Sequence, residues 1–267
     1  MSLRPLALTA LCICDPAAKV QAVQSLWAKQ KEVALLASEV IVNDPAQTLP
    51  GRPELPRLIP AQQVPTRTPF TPEGLAALMH AVCHIEFNAI NLALDAIWRF
   101  PNMPEPYYID WLRVAYEESQ HFEMLHTHLQ SLGHRYGDFE AHDGMWHMCQ
   151  KTADDVLARM ALVPRTLEAR GLDATPLIQT KLRKAATPSA LQAADLLDII
   201  LREEVGHVAI GNHWYRWLCE QRGLDPVAFY SELAKRYEAP KLRPPFNKEA
   251  RKRAGFTEVE LSYLLGN

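Results

Sequence analysis

The chain has 267 residues, 48% of them apolar, and a formal net charge of −3. That is enough apolar material for a sizeable core, and so balanced a charge excludes a strong overall pull toward nucleic acid or an anionic membrane. Five cysteines, odd in number and scattered, point to reduced thiols in a cytoplasmic protein and away from a disulfide scaffold.

The first residues, "RPLALTALCIC", carry a short apolar run after Arg4. They lack a strongly basic start and a small-residue cleavage site, so the run is expected to begin the folded domain. Cys12-x-Cys14 has the spacing of a soft-metal pair, but no second pair completes a zinc site. Val20, Val23, Leu26 and Trp27 follow helical spacing after Pro16 and predict a helix over 16–42. Eight prolines then run from Pro45 to Pro72. Such a stretch is neither helix nor central strand, so an arm laid over the main domain is expected. No stretch reaches the roughly 18–20 unbroken apolar residues of a membrane helix.

Four long helical segments follow. The first starts at the Thr71-Pro72-Glu73 cap and ends at Arg99, before Pro101. The second runs from about Pro106 to Leu132, before Gly133. The third is expected from about Asp143 to Arg170, before Gly171, with Pro164 disturbing it. The fourth runs from Thr187-Pro188 to Arg222, before Gly223. A short helix is expected over Pro226–Tyr237, and Thr257 would cap a last one in "TEVELSYLLGN". With almost no period-2 alternation, the chain reads as all-α, a four-helix bundle over 71–223. Residues 1–70 supply an N-terminal helix and the proline-rich arm, and 224–267 a basic C-terminal helical extension.

"YEESQHF" (116–122) and "REEVGHV" (202–208) share the core Glu-Glu-x-x-His. With 19 glutamates and 10 histidines, chance alone gives about 0.7 Glu-x-x-His matches, so the motif needs a second criterion. The apolar stripe of each helix supplies it. In the second helix Tyr107, Trp111, Val114, Glu118, His121 and Leu125 share one face. In the fourth, Ala193, Leu197, Ile200, Glu204, His207, Gly211 and Trp214 do the same. In the first, Glu86 is the single charge among Leu75, Met79, Val82, Ile90, Ala93 and Ile97. Glu123 lies about 140° around the helix from Glu118, which puts the Glu123/His126 pair on another face. Glu86 and Glu118 are equidistant from residue 102, so an antiparallel hairpin sets them level. Glu168 and Glu204 repeat the arrangement loosely, and Asp154 is an alternative to Glu168.

The expected metal ligands are therefore Glu86, Glu118, His121, Glu168, Glu204 and His207. One Glu from each of two helices plus Glu-x-x-His from each of two others is the di-iron or di-manganese carboxylate pattern. Four carboxylates offset two divalent cations, and each imidazole adds one nitrogen while positions stay open for O2. Two Fe ions are expected, with Mn/Fe or other divalent metals suiting the same donors. Glu117 and Glu203 are candidate partners for the opposite histidine N–H, with a solvated helix charge as the alternative. The competing reading of the whole set is a core polar network with Arg113, Arg159, Arg165 and Arg202. His80 and His84 have i, i+4 zinc spacing on a face away from Glu86.

At "HIEFNAINLALDA" (84–96), "YEESQHF", "LEARGLD" (167–173), "REEVGHV" and "PPFNKEARKRAGF" (244–256) the chain resembles an uncharacterised bacterial ferritin-like family. In ligand pattern it is similar to the bacterial di-iron tRNA hydroxylase, to rubrerythrin and to the small subunit of ribonucleotide reductase. The resemblance implies the ferritin-like fold and the metal site, and leaves the substrate open. The arm and the C-terminal segment exceed a minimal ferritin, which favours an O2-activating oxidase or hydroxylase. Residues 235–253 hold eight basic and two acidic side chains. Within them Arg243, Lys248, Arg251 and Arg253 are candidates to bind an anionic small molecule or RNA, with a solvated tail as the alternative. Trp98, Trp111, Tyr116, Trp214 and Tyr215 are read mainly as core. The partners expected are O2 or peroxide, an electron-donor protein and no membrane, on a monomer or dimer. An iron-handling ferroxidase or peroxide scavenger, and a metal-stabilised binding protein without turnover, are the alternative functions.

Overall fold

The computed structural model describes residues 2–44 and 46–264. It is all-α; among the described residues the only extended pairings are single bridges, Ser2 with Ala34 and Leu58 with Ala141. The chain forms two compact units, Met1–Asp143 and Gly144–Asn267.

The N-terminal unit contains α1 (Leu3–Leu11), α2 (Pro16–Ala28), α3 (Pro72–Arg99) and α4 (Glu105–Ser131). Thr71 caps α3 by accepting from Gly74 N at 3.1 Å, with Pro72 supplying the preset backbone angle of a first helical residue. The turn to α4 passes through Asn102, whose φ is +61°. The stripe residues Leu75, Met79, Ile90, Ala93 and Ile97 of α3 and Tyr107, Trp111, Val114 and Leu125 of α4 are all buried. By length and composition α3 could cross a membrane, yet 83% of its most apolar window is buried within the fold.

The helix expected over 16–42 ends at Ala28. The apolar spacing that predicts it stops at Trp27, and the polar run Lys29–Glu32 turns instead. The chain beyond then satisfies the N-terminus: Leu3 N donates to Ala34 O at 2.8 Å, and the buried Arg4 guanidinium to Ala37 O at 3.0 Å. The arm runs along the 133–143 loop. Ile59 N and Ala141 O are 2.9 Å apart, and Arg52 grips Asp143 with two hydrogen bonds of 2.7 and 2.6 Å. Pro45, the first of the eight prolines, lies outside the described residues.

The C-terminal unit contains α5 (Gly144–Lys151), α6 (Val156–Leu162), α7 (Ala169–Ala185), α8 (Pro188–Gln221), α9 (Pro226–Arg236), α10 (Lys248–Arg253) and α11 (Glu258–Leu264). The third long helix, expected over 143–170, is broken twice. Residues 152–155 form a turn in which the Asp155 side chain caps α6. Val163–Glu168 then form a π-helical stretch around Pro164, whose missing N–H and ring deny the regular ladder. The helix resumes through Gly171 and ends at Ala186, a left-handed residue with φ +56°. Gly211 of α8 faces this π stretch: a Cβ there would sit 2.5 Å from Pro164 Cβ. The last helix matches expectation, with Thr257 Oγ1 accepting from Glu260 N; residues 265–267 lie outside the described residues.

Candidate metal centre

Glu86 on α3 and Glu118 and His121 on α4 come together. Each offers one ligand atom, and these atoms lie within 4.8 Å of one another. His121 Nδ1 is 3.2 Å from Glu118 Oε2 and 3.6 Å from Glu86 Oε2. All three side chains are at most 3% exposed. Two carboxylates and an imidazole buried this close together are costly unless a proton or a cation is shared among them. The hairpin explains the convergence, because sixteen residues separate each glutamate from the turn at Asn102.

The C-terminal unit carries the second group. Glu204 and His207 share a face of α8, with His207 Nδ1 3.7 Å from Glu204 Oε1. His207 is fully buried. Glu168 closes the π stretch and is 7% exposed, whereas Asp154 is exposed in the turn before α6. A π stretch re-aims the side chains that follow it, which turns Glu168 inward despite Pro164. The turn at Ala186 lies midway between Glu168 and Glu204.

The remaining candidates are placed as follows. Glu117 is half-buried and 3.2 Å from Arg113; Glu203 is 3.6 Å from Arg202. Glu123 is exposed on another face of α4, bound by Gln24. Of the arginines weighed as core partners, Arg165 pairs with Glu260 at 2.7 Å, and Arg159 donates to Thr152 Oγ1 at 2.8 Å. Arg243, Lys248 and Arg253 are exposed. Arg251 is fully buried, ion-paired with Asp173 at 2.6 Å and stacked over Phe246 and Phe256, so it fastens the tail and is not open to a ligand. The aromatics Trp98, Trp111, Trp214 and Tyr215 are buried, and Tyr116 stacks on Trp27 at 5.3 Å.

His80 and His84 are taken up by the 133–143 loop. Gly137 N donates to His80 Nε2 at 3.0 Å, while His84 meets Tyr136 Oη at 2.9 Å and His142 O at 3.1 Å. Burial pushes the His80 pKa down to about 4 and that of His84 to about 3, so both rings stay neutral at pH 7. Cys12 is half-buried with its thiol 3.4 Å from Gln47 Oε1, and Cys14 is exposed.

Sequence reasoning missed two buried cations, Arg4 and, more fully enclosed, Lys19. Its Nζ donates to Leu11 O at 3.1 Å, Gly51 O at 2.8 Å and Asn91 Oδ1, and lies 5.0 Å over the Phe87 ring. Burial lowers its pKa to about 7. The signal available was its place on the buried side of α2, beside Val20 and Val23.

Fold and site thus define an all-helical protein with a buried carboxylate–histidine cluster able to hold a metal ion. The chain belongs to the family described as protein of unknown function (DUF455), whose model matches residues 12–262. It is 46% identical over 265 residues to an uncharacterised protein of Haemophilus influenzae, a match covering 96% of this chain and 91% of that one. No solved structure matches it.

Proposed function

We propose that Glu86, Glu118 and His121 together with Glu168, Glu204 and His207 hold two iron ions in a ferritin-like dinuclear centre, and that the protein is an O2-activating oxidase or hydroxylase. The bundle would span residues 71–223, flanked by the arm and the basic extension. The carrying observation is the buried Glu86–Glu118–His121 cluster, whose Glu-x-x-His half recurs as Glu204/His207. The donor set fits the group: hard carboxylate oxygens and one imidazole on each Glu-x-x-His pair suit iron in either common oxidation state.

Bound iron would supply one- and two-electron chemistry toward O2. The residues do the rest. The carboxylates bring negative charge into a buried site, where a cation would feel it more strongly than in bulk water. The Glu-x-x-His spacing holds each imidazole beside its own glutamate. The apolar stripes of α3 and α4 around Glu86 and Glu118 exclude water from reactive species. The substrate would be a small molecule, anionic if the exposed Arg243 and Lys248 help to bind it, with electrons from a separate donor protein in the cytoplasm.

The test is rapid mixing of the Fe(II)-loaded protein with O2. A prompt absorbance change with O2 uptake is expected. A loaded protein that stays silent would leave a metal-stabilised fold without turnover. Gel filtration adds the second arm: a monomer or dimer is expected, and a large hollow assembly would favour iron storage.

A further inference from the structure

The C-terminal unit has a second feature that the metal reading does not use. A cleft of about 290 Å³ opens between the end of α8 and the turn after α10, lined by His213, Arg216, Trp217 and Glu220 on one side and Arg253 to Gly255 on the other. That volume is close to the lower end of small-molecule sites, about 300 Å³. At about 100° per residue, Asn212, Arg216 and Glu220 sit about 140°, 180° and 220° around α8 from His207. The cleft is therefore on the opposite face of the helix from the metal ligand.

Its lining sets two guanidinium groups, Arg216 and Arg253, beside one carboxylate, Glu220. The buried Glu260 faces two guanidinium groups, Arg165 at 2.7 Å and Arg216 at 2.7 Å, so one carboxylate answers two cations. Arg216 is held in place by these contacts. Its Nη2 donates to Glu260 Oε2 and to Gly255 O, which uses both N–H groups of that nitrogen and leaves three of the fork's five. Arg253 adds a second, exposed guanidinium. Gly255 has φ +89°, the left-handed region that favours glycine, and a Cβ there would meet Arg216 Nη1 at an ordinary 3.5 Å. Trp217 supplies a flat, half-buried face, steadied edge-on by Trp214 at 5.6 Å. Glu220, exposed at the rim, can accept from a ring amine or a sugar hydroxyl.

We propose that this cleft binds a small phosphate-bearing heterocycle of nucleoside-monophosphate size. The phosphate lies between Arg216 and Arg253, which offer forked donors matched to its oxygens. The ring stacks on Trp217.

The test is calorimetric titration of the whole protein with adenosine monophosphate, adenosine and inorganic phosphate. The monophosphate is expected to bind at least about tenfold more tightly than either fragment. Arg253→Ala, an exposed change, should weaken it by about tenfold or more. Trp217→Leu should remove the advantage over inorganic phosphate. Glu118→Ala should leave the binding unchanged, which separates this site from the metal reading. No heat with the monophosphate at millimolar concentration, or equal affinity in Arg253→Ala, overturns the proposal.

Discussion

The buried cations that fasten the outer segments donate to carbonyl oxygens in the N-terminal unit and meet carboxylates in the C-terminal unit; the half-buried Arg52–Asp143 pair on the arm is the exception. In the first, Lys19 ties α1, the arm and α3 through Leu11 O, Gly51 O and Asn91, and Arg4 reaches Ala37 O and Trp98 O. In the second, Arg165 and Arg216 share Glu260, and Arg251 pairs with Asp173 to dock α10 on α7. Carbonyls do not titrate, so the first device is insensitive to their protonation. Glu260 does titrate, so its share of the second device fails in acid. The same task, holding a tail on a helix pair, thus carries a different pH dependence in each half.

Four outcomes sharpen that comparison. Glu260→Ala has the largest expected effect. It leaves Arg165, 4% exposed, without its carboxylate, and such a loss costs about 3–5 kcal/mol. Denaturant unfolding followed by a probe in α8 reads it; a change below about 1 kcal/mol would mean that Asn212 and the surrounding rings suffice. Gly211→Ala comes next. A methyl 2.5 Å from the Pro164 ring must push α8 off the π stretch, at a cost of about 1–3 kcal/mol, visible as a lower Tm. Lys19→Met should cost less, about 1–2 kcal/mol, because the three acceptors it leaves are neutral. Proteolysis within the arm would report it.

The smallest and most discriminating outcome is the acid profile. Burial holds the His80 pKa near 4, below the usual value of about 6.5. The unfolded chain therefore binds the proton first, and stability present above about pH 6.5 is lost as pH falls toward 4. Burial raises the Glu260 pKa, but Arg165, Thr257 and Arg216 together outweigh it, and the net shift is downward. Its contribution is present above about pH 4.3 and lost below it. Protection from hydrogen exchange, taken relative to the intrinsic rate, should fall in α3 between pH 7 and 5 and in α8 only below about pH 4.3; loss of protection in α8 first would contradict these two assignments.

Much of this was legible because caps and stripes are local. Thr71-Pro72 and Thr187-Pro188 mark helix starts, and Gly133 and Gly223 mark ends, by backbone rules that need no partner. Glu86 and Glu118 could be paired because a hairpin turns spacing into register. The third helix was illegible in detail. Pro164 signals a disturbance, but nothing local says that the chain takes a π stretch, continues through Gly171 and keeps Glu168 inward. That outcome depends on Gly211, far along the chain, letting α8 approach. Arg251 shows the same limit: a basic run predicts an exposed charge, and only Asp173, 78 residues away, makes it a buried fastener.

The measurement that bears most directly on the central claim is metal per chain. It is made by elemental analysis after expression with iron supplied, on the wild type and on the Glu118→Ala/Glu204→Ala double variant. The account predicts about two irons, or one iron and one manganese, per wild-type chain, and a folded variant that has lost them. A wild-type chain that is folded, stable and metal-free would contradict it and leave Glu86, Glu118 and His121 as a polar network in the core.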